Sequence, residues 1–188
     1  MAKLKEEIAF AKAKAAGAVY RDNAAHPVIP ETALDELPSS AVALGYVGPE
    51  GIENNEDVSE EEFQDMNGDT VATIITSRKE VVSFTLLQTS PETLAAIYGD
   101  VNVTDTGTEI VVVRKATEQK LTPWYIELVL TGDRVLRKVI PAAKPKAGRT
   151  ITYKKGKPID YTLELTCMPD DNGVTSLDYY AKAVIDEG

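Results

Sequence analysis

Only one short stretch of this 188-residue chain carries the signals of a complete helix. Ser90 can cap it, Pro91 suits the first helical position, Glu92 favours the positive end of the dipole, and Gly99 is the stop. Leu94, Ile97 and Tyr98, at i, i+3 and i+4, give that helix one apolar face with which to pack on a sheet. After Ser40 the pattern otherwise has the period of a strand. Ala41–Val47 and Ile110–Arg114 are β-like runs, and Val81–Thr89 is rich in β-branched residues. Val71–Ser77 alternates Val71, Thr73 and Ile75 with Ala72 and Ile74. Trp124, Ile126, Leu128 and Leu130 alternate with Tyr125, Glu127 and Val129. Leu136 and Ile140 alternate with Arg134 and Lys138. Tyr161, Leu163, Leu165 and Cys167 oppose Asp160, Thr162 and Glu164. Ser77-Arg78-Lys79-Glu80 is expected to turn between two strands. Asp170-Asp171-Asn172-Gly173 is expected to turn back into a hairpin completed by Val174–Val184. These segments predict a mainly β fold, a small antiparallel barrel or sandwich with one short flanking α-helix.

Residues 1–39 read differently, as an N-terminal arm before a β-domain at 40–188. Leu4, Ile8, Ala11 and Ala15 repeat at helical spacing, so periodicity predicts a helix over residues 3–16. Its face is mostly alanine and would bury little. Arg21 to Pro30 carries two prolines and reads as extended. Thr32 can cap a short helical turn running to Leu37.

Charge is segregated along the chain. Thirty acids face twenty bases, a net charge of −10. Between Val47 and Thr70 stand Glu50, Glu53, Glu56, Asp57, Glu60, Glu61, Glu62, Asp65 and Asp69, with no Lys or Arg. Residues 48–69 are therefore expected to form a long acidic loop. Between Gly132 and Lys157 the sign reverses. Arg134, Arg137, Lys138, Lys144, Lys146, Arg149, Lys154, Lys155 and Lys157 are opposed by Asp133 alone. The strand alternation puts Arg134 and Lys138 on solvent faces, without the interleaved aromatics that stack on bases. Together with the overall acidity, this argues against sequence-specific nucleic-acid binding.

Catalytic arrangements are scarce. His26 is the only histidine and precedes Pro27 in the arm, a poor place for preorganised chemistry. The single Cys167 lies on an apolar face and reads as a small buried hydrophobe, which leaves no disulfide and no cysteine-based zinc site. Gly45-Tyr46-Val47-Gly48 does not lead from a strand into a helix, so no phosphate-binding loop is expected. Asp170–Gly173 lacks the rest of a calcium-binding loop. No apolar run is long enough to span a bilayer as a helix, and the first residues lack the core of a signal peptide. These readings predict no enzyme activity, no cofactor, no metal and no membrane. They also predict synthesis in a cytoplasm. Acids are plentiful enough that a two-carboxylate hydrolase stays an alternative.

Several segments in order resemble a known family. Lys14–Tyr20 is followed by the Pro-containing arm, then Leu44-Gly45-Tyr46-Val47 and Glu50-Gly51-Ile52. The acidic Glu61–Asp69 leads into Val71, followed by Phe84-Thr85-Leu86-Leu87 and Pro91–Leu94, closing with Tyr98-Gly99. Later come Arg137–Pro141, Ile151-Thr152-Tyr153 and Thr166–Asp170. This order resembles the major tail tube proteins of long-tailed, non-contractile bacteriophages of Gram-positive hosts. Met66 departs from it, standing where such proteins usually have an aromatic. The resemblance implies a barrel or sandwich flanked by a helix, and rings, six-fold in such proteins, that stack into a tube. It also implies a tape-measure protein inside the tube, tail-terminator and tail-tip proteins at its ends, and DNA that only passes through the lumen. It places contacts between subunits in the arm and in the loop at 48–69.

On this reading Glu50, Glu53, Glu56, Asp57, Glu60, Glu61, Glu62 and Asp65 face the bases Arg134, Arg137, Lys138, Lys144, Lys146 and Arg149 of a neighbouring copy. A second use of the acids is to line the lumen and keep DNA from adhering. From a different class, a small carbohydrate- or receptor-binding module could stack ligands on Trp124, Tyr125, Tyr179 and Tyr180. Against it, the alternation puts Trp124 in the core.

Overall fold

The structure is a computed structural model that describes residues 8–115, 117–148 and 150–182. Ten strands form one antiparallel sheet. Seven lie along its main path in the order β3 (Ala41–Ala43), β2 (Val19–Asp22), β8 (Thr122–Leu130), β9 (Arg134–Pro145), β11 (Asp160–Cys167), β5 (Thr70–Leu86) and β4 (Val47–Gln64). Off this path, β1 (Ala11–Ala13) pairs with β8, β10 (Thr150–Thr152) with β11, and β12 (Leu177–Lys182) with β9. A separate ribbon joins β6 (Val103–Asp105) to β7 (Ile110–Val112). The two end strands, β3 and β4, are consecutive in sequence and linked only by Leu44–Tyr46. Four Cα steps reach about 14 Å at most, so the sheet curls to bring its ends together.

One core fills that curl. Val82, Phe84 and Leu86 of β5 meet Tyr161, Leu163, Leu165 and Cys167 of β11, Trp124 and Ile126 of β8, and Ile140 of β9. Helix α1 (Pro91–Tyr98) adds Leu94, Ala96 and Ile97. Its ends are those read from the sequence. The Ser90 hydroxyl accepts from the Thr93 amide, and Gly99, at φ +91°, returns its N–H to the Ala95 carbonyl. The Thr93 hydroxyl then donates 3.0 Å to the Leu44 carbonyl, fixing the helix to the link between β3 and β4.

The arm differs from its sequence reading. Ala11–Ala13 is extended and pairs with Val129 and its neighbours, while residues 3–7 of the expected helix lie outside the described residues. A helix with an alanine face buries little, whereas an extended segment gains a backbone ladder on β8. Gly17, at φ +121°, turns the chain so that β2 continues along the same edge of β8. Ala18 to Asp22 are buried, so this stretch of the arm is a strand of the sheet.

Thr32 does not start a helix. Its hydroxyl accepts from the Leu34 and Asp35 amides, while the Asp35 carboxylate accepts from those of Glu31 and Thr32. The reciprocal bonds of a capping box close a turn that no apolar repeat prolongs. Ile29 and Leu37, on either side of this turn, pack on a second buried cluster of Tyr20, Tyr125 and Val139. The arm thereby covers the other face of the sheet at β2, β8 and β9.

Two hairpin expectations are corrected. Residues 77–80 do not turn, because β5 runs unbroken from Thr70 to Leu86. Residues 174–182 of the expected Val174–Val184 strand do not return on β11, whose edges are already held by β5 on one side and by β9 and β10 on the other, and the last two lie outside the described residues. Asp170 does form the expected turn, accepting from the Asn172 and Val174 amides. The chain then crosses to pair β12 with β9.

Candidate functional site

The acidic segment is no loop. Residues 47–64 form β4, paired along most of its length with β5. β11 covers the other edge of β5 only from Leu86 to Glu80. Beyond that point the two strands leave the curled sheet as a ribbon. From Glu53 to Lys79 every residue is exposed on both faces. The tip is a turn built by Asp65, whose carboxylate accepts from the Asn67 amide at 2.8 Å and the Asp69 amide at 3.0 Å. Those bonds hold the Asp65 carboxyl below its usual range. Gly68, at φ +90°, closes the turn.

Along β4 the acids alternate between faces, with Glu56, Glu60 and Glu62 on one and Glu53, Asp57 and Glu61 on the other. Glu50 lies at the root, beside Gly51. Arg78 on β5 pairs with Glu56 across the ribbon. The other acids of β4 form no ion pair among the described residues.

The root is clamped by Glu80, buried within the chain at the last pairing of β5 with β11. It accepts from the Thr175 and Ser176 hydroxyls and from Lys138, whose ammonium also lies 2.9 Å from Asp178 on β12. Burial alone would raise the Glu80 carboxyl. The hydroxyl bonds and Lys138 outweigh it and hold the carboxyl below its usual range. A lowered folded value stabilises the fold fully above the unfolded carboxylate range, near 4.3, and that contribution is lost as pH falls through the folded value. Urea midpoints measured from about pH 6 down to about pH 3 should therefore fall more steeply for the wild type than for Glu80→Gln.

The basic segment is not the free surface that its sequence suggested. Arg137 is buried. Its Nε donates 2.9 Å to Glu127 and its Nη1 2.9 Å to the Thr32 carbonyl. Lys14 reaches the other oxygen of Glu127 at 2.8 Å. Lys138 is largely buried in the clamp, at 12% side-chain exposure. The reason is that β9 is covered on both faces, so both sets of alternating residues point into protein. Lys144 pairs with Glu118 and Lys146 with Glu164, both at the surface. Arg134 is half-buried and donates to the Thr131 carbonyl, while Arg149 lies outside the described residues. Besides Lys146, the exposed bases of the segment among the described residues are Lys154, Lys155 and Lys157, on the turn at Gly156 between β10 and β11. They form no ion pair among the described residues. A Lys-Lys-Gly-Lys sequence is itself a turn signal and could have marked them.

The remaining candidates do not converge on chemistry. Burial pushes the Cys167 thiol up to about 12, which makes it a poor nucleophile. His26 is exposed and hydrogen-bonds to nothing among the described residues, where no group of His, Cys, Asp or Glu could hold a metal. No helix among the described residues is long and apolar enough to cross a membrane. Trp124 and Tyr125 are fully buried, with Trp124 packed at 6.3 Å from Phe84, so a platform with the exposed Tyr180 is not assembled.

A curled antiparallel sheet with one flanking helix and a long exposed ribbon describes a structural β-protein. Residues 14–186 match the family model described as phage tail tube protein, and the chain belongs to that family. It is a structural component of the phage tail. No curated protein sequence matches it. Among solved structures, the cryo-EM structure of the anti-feeding prophage cap, a tube terminating cap, is similar. Its TM-score is 0.44 with 14% identity, over 85% of this chain and 96% of that chain.

Proposed function

We propose that the chain assembles with copies of itself into six-fold rings that stack into a tail tube of the non-contractile type, through which DNA passes. The observation that carries this is the ribbon. A two-stranded hairpin with both faces in water is marginal by itself, and this one extends far beyond any support from its own subunit. A neighbouring copy supplies that support. Glu50, Glu53, Glu56, Asp57, Glu60, Glu61, Glu62 and Asp65 then contact that neighbour. Of the bases first assigned to face them, Arg134, Lys144 and Lys146 reach the surface, and Lys154, Lys155 and Lys157 join them. The partners are a tape-measure protein in the lumen and terminator and tip proteins at the ends. Sequence-specific DNA recognition, a membrane and catalysis have no part in this role. The subunit is made in the cytoplasm of the host bacterium and works in the virion.

Exposed ion pairs contribute about 0.2–1 kcal/mol each, so they set orientation and rate more than affinity. Electron microscopy of concentrated protein should show rings or tubes. Light scattering should show assembly slowing about tenfold or more between roughly 0.05 and 0.5 M salt. Reversal of Glu60, Glu61 and Glu62 to Lys should slow it at low salt. Tubes that form at the same rate under all these conditions would rule out the charge contact. Persistent monomers would rule out the tube.

A further inference from the structure

The two edges of the ribbon are unlike. The outer edge belongs to β4 and carries Glu53, Glu56, Asp57, Glu60, Glu61 and Glu62. The opposite edge belongs to β5 from Thr70 to Lys79, where no strand among the described residues pairs with it. From Thr70 to Ser77 its sequence is Thr-Val-Ala-Thr-Ile-Ile-Thr-Ser, without a charge, proline or glycine. Six of these eight residues are β-branched, and Val71 and Ile75 are 65% and 66% exposed. Such a row, with open backbone donors and acceptors, is a template for another strand. Soluble proteins guard such edges with charge. Here β4 carries six acids, while β5 is charged only near the root, at Arg78 and Lys79, and is bare from Thr70 to Ser77.

We infer that the Thr70–Ser77 edge of β5 takes a β-strand from a second copy of this chain, extending the ribbon by backbone pairing. The inference rests on the tube reading. Acid against acid keeps two β4 edges from pairing, so the joint is directed to β5. A second copy also brings the unpaired Lys154, Lys155 and Lys157, complementary in charge to the acids beside the joint. Main-chain bonds give such a joint its hold, and alternate side chains on the two faces set its register. The acids thus act with the neutral edge, closing the wrong side of the ribbon and drawing bases towards the right one.

The test is amide hydrogen exchange on purified chain, as monomer and after assembly, together with two variants of equal charge. Thr73→Lys with Ile75→Lys puts two guards on β5. Ser59→Lys with Gln64→Lys puts the same two charges on β4. In assembled wild type, exchange in 70–77 should slow at least about tenfold and more than in 53–64. The β5 variant should melt like the wild-type monomer and lose assembly, while the β4 variant still assembles. Assembly of the β5 variant at the wild-type rate would overturn the inference while leaving the tube reading standing. So would tubes whose 70–77 amides exchange as in the monomer, or gain protection only when another tail protein is added. A wild type that never assembles would sink the tube reading itself.

Discussion

Replacing Arg137 with alanine is expected to cost the fold about 3–5 kcal/mol, the usual loss when one member of a buried ion pair is removed. The Glu127 and Arg137 side chains are 6% and 4% exposed, so neither charge has water to fall back on. Glu127 lies on β8 and Arg137 on β9, opposite each other in the ladder. The guanidinium also donates to the Thr32 carbonyl, and Lys14, beyond the end of β1, reaches the same carboxylate. One buried charge cluster thus ties β8, β9, β1 and the arm together. Truncation leaves Glu127 with Lys14 alone and leaves the Thr32 carbonyl without its donor. For a chain of this size the melting temperature should fall by roughly 6–20 °C, and the denaturant midpoint should drop with an unchanged slope. The double change Arg137→Met with Glu127→Leu should recover most of the loss, because matched apolar groups avoid the unpaired charge. A loss below about 1 kcal/mol for the single variant would mean that water reaches the pair.

Arg137 also shows where sequence reading stops. Alternation identifies strands, and it found β8, β9 and β11, but it assumes one wet face. Nothing local to β9 announces that the arm lies over one side of the sheet and the core over the other. Ile29 and Leu37 pack on that second side from about a hundred residues away in sequence. The helix at Pro91–Tyr98 was legible for the opposite reason, since Ser90, Pro91 and Gly99 act within their own turns.

The ribbon was hidden by its chemistry. Acidic residues are poor strand formers by propensity, so nine of them within residues 50–69, with no base among them, read as a solvated loop. Yet Asp65-Met66-Asn67-Gly68-Asp69 contains Asn-Gly, the strongest short hairpin signal, between the acids and the β-branched run. With Asn67-Gly68 as the centre, Phe63 falls opposite Ala72, as observed, while an irregularity between Ser59 and Glu60 shifts the pairing by one, so that Asp57 meets Lys79 and not Arg78. The acids read as contacts lie on this exposed strand and its turn, so their exposure was legible while their backbone was misread. Arg137 and Lys138 are not at the surface with the other bases, because charge counts along a chain do not reveal the intramolecular pairs with Glu127 and Glu80.

Removing the outer ribbon separates folding from assembly most sharply. Replacing residues 58–78 by Asn-Gly joins Asp57 to Lys79, which face each other across the ladder, through a two-residue turn that suits a hairpin. The change leaves Glu80 and its bonds to Thr175, Ser176 and Lys138 in place. Every residue removed is exposed and none contributes to either buried cluster, so monomer stability should stay within about 0.5 kcal/mol of the wild type. Assembly should be lost at concentrations where the wild type forms tubes, because the variant lacks Glu60, Glu61 and Glu62 of β4 and the bare β5 edge together. A shortened chain that melts several degrees lower would make the ribbon part of the folding unit. One that folds normally and still builds tubes would move the joint between subunits elsewhere, to the arm or to the turn at Lys154–Lys157. The asymmetry makes this the decisive experiment. A ribbon kept for folding would be buried on at least one face, and a ribbon kept only for solubility would be charged on both edges. This one is exposed on both faces and, beyond Arg78 and Lys79 near its root, charged on a single edge, which suits a strand whose missing neighbour is another subunit.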